Sequence, residues 1–217
     1  GKLQNTFTGY RIKNLDLEMP SPYTTGLLDK FFDGKLAPIL QTTRGCPFHC
    51  SFCTDGSDEV NKVNRFGIER VKADVDYIAK KVPNNTHTLY ISDLNFGMLP
   101  GDMNTCDAIV ETQEKYNFPT KILSTTGKNN KERIIQSIKK LNGTVALSMS
   151  VQSMDQEVLE NIRRPNISVD KMLALAPTIR EYGLRTTSEV ILGLPGETYD
   201  KHVEGLRQLI NAKMDFV

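Results

Sequence analysis

Apolar positions along the chain switch between two periods, and the switching predicts alternating strands and helices. Residues 37–43 (APILQTT) read as a short strand. Downstream, Ile68, Val71, Val75, Ile78 and Val82 recur at three- and four-residue steps, the spacing of one helical face. A second strand is predicted over 88–93, a helix over 103–116 and a third strand over 121–126. Ile134, Ile135, Ile138 and Leu141 mark the next helix. Residues 144–152 return to strand, followed by helical sequence over 155–162 and 169–182, the latter kinked or interrupted at Pro177. A fifth strand is read over 186–194 and a helix over 200–212, with Val203, Leu206, Leu209 and Ile210 on one face. Residues 214–217 look like the opening of a sixth strand. This order implies parallel strands joined by right-handed crossovers. In parallel barrels the active face lies at the C-terminal strand ends, and polar residues of this chain gather just after its strands.

Composition changes the picture little. With 217 residues, 39% of them hydrophobic and 24% charged, the chain suits one sizeable mixed domain or a piece of a larger one. The net charge of +1 and the dispersed basic residues give no strong signal for nucleic acid or an acidic membrane. No signal peptide or long apolar segment is evident, so the expectation is a chain without a membrane span in a reducing cytoplasm.

Three cysteines change it a great deal. Cys46, Cys50 and Cys53 stand in Arg44-Gly45-Cys46-Pro47-Phe48-His49-Cys50-Ser51-Phe52-Cys53, a Cys-x3-Cys-x2-Cys loop able to turn three thiolates onto one face. An iron–sulfur cube has four iron corners, so three ligands leave one iron open for chemistry. Structural zinc, with His49 or the remote Cys106 as fourth ligand, is the rival reading. Zinc sites usually show two separated ligand pairs, and His49 directly adjoins Cys50. Disulfides suit a reducing compartment poorly. Soft thiolates at this spacing favour an iron–sulfur cluster.

The motif, with an aromatic just before its last cysteine, resembles that of the radical S-adenosylmethionine (SAM) enzymes. That resemblance implies a [4Fe-4S] cluster on Cys46, Cys50 and Cys53, with SAM chelated to the open iron. It further implies reductive cleavage to a 5′-deoxyadenosyl radical, fed by an electron donor such as flavodoxin or ferredoxin. It also implies an α/β fold, a partial (β/α)6 TIM-like barrel of parallel strands, matched here from about Leu36 and truncated at the sixth strand. An unpaired barrel edge is a liability, which suggests a larger protein. Residues 1–35 then form an N-terminal connector, and residues 36–217 form the radical SAM core, incomplete at its C-terminus. The turn-rich run from Pro20 to Asp29 looks like the segment that joins a cobalamin domain to the barrel in cobalamin-associated members.

Further site residues follow from the same resemblance. Phe52 would shield the cluster or face the adenine. Ser92-Asp93-Leu94-Asn95-Phe96-Gly97 departs from the family's Gly-Gly-Glu run and resembles an Asp-rich version, making Asp93 the expected holder of the SAM ammonium. Ser148, Ser150 and Gln152 alternate on one strand face, opposite Val151, and Ser150 and Gln152 are expected at the ribose. Polar groups facing into a barrel are costly unless bound. Arg164 resembles the arginine that pairs with the SAM carboxylate, a good match for a guanidinium fork. Glu189-x-Ile191-x-Gly193 resembles the adenine motif, and Gly193-Leu194-Pro195-Gly196-Glu197-Thr198 is common in cobalamin-associated and methylthiotransferase branches. The expected activity is SAM cleavage in service of cobalamin-dependent methyl transfer, with cobalamin supplied by a domain outside this chain. The alternatives are a methylthiotransferase acting on RNA or protein, and a structural zinc-binding interaction module. The substrate itself is not readable.

Overall fold

The computed structural model describes residues 11–126, 130–148, 150–165, 177 and 179–217. Four strands form a parallel sheet: β1 (Ile39–Leu40), β4 (Thr88–Phe96), β5 (Lys121–Thr126) and β6 (Val145–Ser148), adjacent in that order. The remaining two, β2 (Thr43–Arg44) and β3 (Asn64–Arg65), make a small antiparallel pair that brackets the cysteine loop. Sheet order follows chain order, as successive crossovers require.

The parallel order continues past β6 through single bridges. Gln152 pairs with Val190, and Thr187 pairs with Phe216, both parallel. The predicted fifth and sixth strands are therefore present as bridged extended segments rather than full ladders. Within 144–152 the strand is Val145–Ser148, Met149 lies outside the described residues, and Gln152 takes a left-handed φ of 67°. The predicted helix over 169–182 lies mostly outside the described residues, although Pro177 and residues 179–181 are helical.

Helices α2 (Ile68–Lys81), α3 (Asp102–Tyr116) and α4 (Lys131–Lys140) cover one sheet face. Leu40, Leu89, Ile91, Ile122 and Val145 meet Val71, Val75 and Ile78 of α2, Ile109 of α3, and Ile134 and Ile138 of α4 in one core. The alternating burial of β4 explains the other face: Leu89 and Ile91 point to the helices, whereas Tyr90, Ser92 and Leu94 point into an open half-barrel. Two later helices, α5 (Gln156–Asn161) and α6 (Tyr199–Asn211), begin at Asp155 and Thr198, whose side chains accept the Val158 and Lys201 amides as N-caps.

The segment before β1 is docked, not loose. Leu15, at the start of α1 (Leu15–Glu18), and Tyr23 are buried in the main core. The Tyr23 hydroxyl donates to the Ile39 carbonyl at 2.6 Å and accepts the Ile39 amide at 3.0 Å. Asp16 accepts the Gly67 amide at 2.9 and 3.1 Å, capping α2 from outside. Among the described residues no helix is long and apolar enough to cross a membrane.

Candidate cluster and SAM site

The cysteine loop leaves β2 at Gly45, where φ is +102° and a side chain would collide with the Lys62 carbonyl. Glycine is required there. Inside the loop, the Cys53 amide donates to the Cys50 carbonyl at 3.1 Å and the Gly56 amide to the Cys53 carbonyl at 3.0 Å. Gly56 presses on Cys50: a Cβ would stand 2.5 Å from its carbonyl oxygen. The Ser51 amide reaches across to the Ile162 carbonyl at 3.0 Å, tying the loop to the end of α5. Cys46 and Cys50 are buried and Cys53 is half-buried, and all are free thiols.

A pocket of about 190 Å³ opens at the strand ends beside this loop. It brings together Cys46, Cys53, Phe52, Ser150, Gln152, Arg164 and Glu189, drawn from the loop, the β6 exit, the α5 exit and the fifth segment. Arg164 is only 7% exposed; its guanidinium donates to the Ser150 carbonyl and lies 3.9 Å from the Cys50 sulfur. It also stacks over Phe52, 5.9 Å from the ring centre. Burial pushes the Arg164 pKa down, opposed by the Cys50 thiol and then by those of Cys53 and Cys46. Ser150 donates to the exposed Glu189 carboxylate at 2.6 Å, joining the two segments at the rim.

Besides Cys50, three expected residues stand outside this lining. Asp93 is buried beneath the β1–β2 junction, where its carboxylate accepts the Thr42 hydroxyl, the Thr42 amide at 2.7 Å and the Thr43 amide at 3.0 Å. Desolvation raises its pKa against those bonds. Ile191 packs with Val158, Leu159, Ile162 and Leu194, while its amide donates to the Gln152 carbonyl at 2.9 Å. Gly193 occupies a left-handed turn with φ of 82°, its amide donating to Glu197 at 2.5 Å.

The pocket also holds residues that sequence reasoning passed over. Asn95 donates to the Cys46 sulfur at 3.4 Å. Thr126, at the end of β5, is buried in the lining, and its hydroxyl has no partner among the described residues. Its place at a predicted strand end was the available signal. Cys106, in contrast, sits in the core with its thiol pushed up to about 12 by burial. His49 turns outward toward Asp58 and Asn61.

These residues fit a cluster and a polar ligand. Three soft thiols on one loop are the right donors, and a buried orphan hydroxyl beside them calls for a polar guest. Among the described residues no three His, Cys, Asp or Glu side chains close around a single ion. A four-iron cluster is itself the spacer between its thiolates, so the loop needs to offer donors rather than a closed cage.

The model of the radical SAM superfamily matches residues 40–209, and this chain belongs to that superfamily. It is 31% identical over 209 residues to the cobalamin-dependent radical SAM methyltransferase TokK of Streptomyces tokunonensis, a match covering 90% of this chain and 30% of TokK. It is 30% identical over 205 residues to the 2-(S-pantetheinyl)-carbapenam-3-carboxylate methyltransferase of Streptantibioticus cattleyicolor, covering 90% of this chain and 30% of that enzyme. A solved structure of the radical SAM methyltransferase TsrM from Kitasatospora setae superposes with a TM-score of 0.70 at 15% identity, covering 87% of this chain and 36% of TsrM. That likeness speaks to the fold, an α/β core with parallel strands. The chain spans about a third of the length of these curated relatives. Neither the methylthiotransferase nor the zinc-module alternative is favoured by them.

Proposed function

We propose that this chain is the cluster- and SAM-binding core of a cobalamin-dependent methyltransferase. The observation that carries the reading is the single pocket uniting two of the three motif cysteines with Phe52, Ser150, Gln152, Arg164 and Glu189. When bound, the [4Fe-4S] cluster and SAM supply one-electron cleavage of a sulfonium bond, with cobalamin held elsewhere in the protein as methyl carrier.

The chain's own groups divide the remaining work. Cys46, Cys50 and Cys53 hold three cluster corners, and Asn95 steadies the Cys46 sulfur. Arg164 offers positive charge at the mouth for a carboxylate, while Phe52 shields that charge from water. Ser150, Gln152 and Glu189 suit ribose hydroxyls, and Thr126 offers its hydroxyl to a polar group of SAM. Ile191 and Gly193 shape the edge that faces adenine. Asp93 works one layer down, holding the start of the cysteine loop rather than the ammonium. A flavodoxin- or ferredoxin-type protein supplies the electron in a reducing cytoplasm.

Electron paramagnetic resonance on anaerobically reconstituted, dithionite-reduced protein tests this. The expected result is a cluster signal that changes on adding SAM. Thiols that take up zinc and form no cluster would overturn it.

A further inference from the structure

A cavity of about 430 Å³ lies on the other side of the cysteine loop. Its walls come from the docked N-terminal segment, the ends of β1 and β4, and the β2–β3 pair. Leu15 and Leu94 give it an apolar side; Arg11, Arg44, Gln41 and Asn64 give it a polar one. Asp55 and Leu94 line both this cavity and the smaller pocket, so the two adjoin.

Two arginines, Arg11 and Arg44, line it. Arg11 donates to the Glu59 carbonyl at 2.7 Å, the Arg44 carbonyl at 3.4 Å and the Lys62 carbonyl. Carbonyls satisfy its N–H groups but carry no net charge to balance the guanidinium. Arg44 meets the Met19 sulfur at 3.1 Å, a weak acceptor. Neither arginine forms an ion pair with an acidic side chain among the described residues. The single acid in the lining, Asp55, lies on the wall toward the SAM pocket.

We infer that this cavity is the substrate cleft, and that it takes a small molecule bearing a carboxylate or phosphate group anchored at Arg44. A guanidinium fork gives such a group two parallel hydrogen bonds, and the Arg11 charge in the same lining adds attraction. The apolar remainder of the ligand lies along Leu15 and Leu94 and directs its far end past Asp55 toward the SAM pocket. That the ligand is a substrate rests on the function proposed above; that an anion binds here does not.

The probes are benzoate, phenyl phosphate and the neutral benzamide, followed by ligand-observed NMR on the oxidised, cluster-loaded full-length protein. Both anions are expected to bind at least tenfold more tightly than benzamide, the tighter of the two identifying the natural group. Arg44→Gln is expected to abolish that preference while iron content and SAM affinity stay as in the parent. Should Arg44→Gln fail to fold, Gln41→Glu places a repelling charge in the cleft with Arg44 intact and is expected to weaken benzoate at least fivefold. Equal binding of benzoate and benzamide, or undiminished benzoate binding in either variant, overturns the inference. SAM binding, measured separately by equilibrium dialysis, reports on the functional reading, so the two can fail independently.

Discussion

Gly56 and Asp93 both bear on where the cysteines stand, one through the Cys50 backbone and the other through Thr42 and Thr43. A methyl group at residue 56 would lie 2.5 Å from the Cys50 carbonyl oxygen, so Gly56→Ala must displace the loop backbone. The expected outcome is at least a threefold loss of iron and sulfide per chain after reconstitution, with helical circular dichroism unchanged. Asp93→Ala strips acceptors from the Thr42 and Thr43 amides and the Thr42 hydroxyl, costing about 3 kcal/mol in urea unfolding. Asp93→Asn keeps the shape and an acceptor. It is expected to retain SAM affinity within threefold, whereas a lost ammonium contact would weaken SAM far more.

The same carboxyl has a pH signature. Burial raises its folded pKa above the ordinary 3.8, so the folded state favours the proton. Its contribution is fully present below the unfolded value and is lost as pH rises through the folded one. The stability of Asp93→Asn relative to the parent should therefore increase with pH above about 4 and then level off. Urea midpoints across that range check the sign.

At the scale of elements, helices and central strands were legible because their apolar faces must meet one core. The 121–126 strand appears with the predicted bounds, and α2 and α3 lie within a residue or so of theirs. What escaped was set by long-range contact rather than period. The β2–β3 pair has two residues per strand and no alternating pattern to read. Among the described residues the 186–194 and 214–217 segments pair with neighbouring segments through isolated bridges, where pairing, not propensity, decides the outcome.

The N-terminal segment shows the same limit. Its turn-rich composition suggests a connector, but Asp74 of α2 accepts Ser21 Oγ and the Arg70 guanidinium, while Arg70 also donates to the Met19 carbonyl at 2.9 Å. Breaking a buried pair of this kind costs about 3 kcal/mol or more. Asp74→Ala should therefore lower the unfolding free energy by about that amount and expose the chain between Met19 and Phe32 to limited proteolysis.

For the whole molecule, a domain boundary at 35/36 has a direct consequence. Cutting there removes Leu15 and Tyr23 from the core and the Asp16 cap from α2. A chain beginning at Leu36 is expected to bind hydrophobic dye and lose cooperative thermal unfolding, while the longer chain melts as one unit. The motif cysteines were legible as a group because their spacing is local. Assembly of Phe52, Ser150, Arg164 and Glu189 into one lining was legible only through family resemblance, since about a hundred residues of chain or more separate the loop from the later walls. Thr126 carried only its place at a strand end and Asn95 only its place in the Ser92–Gly97 run, and folding reveals that they border the same space.

The Ser51–Ile162 hydrogen bond ties the cysteine loop to the α5 exit, segments that no ladder joins among the described residues. Its amide proton can exchange with solvent only when the cysteine loop and the α5 exit part. The exchange rate at Ser51 is thus a clock for opening of the barrel mouth, readable in the absence of substrate, and ligands that hold the two sides together should slow it.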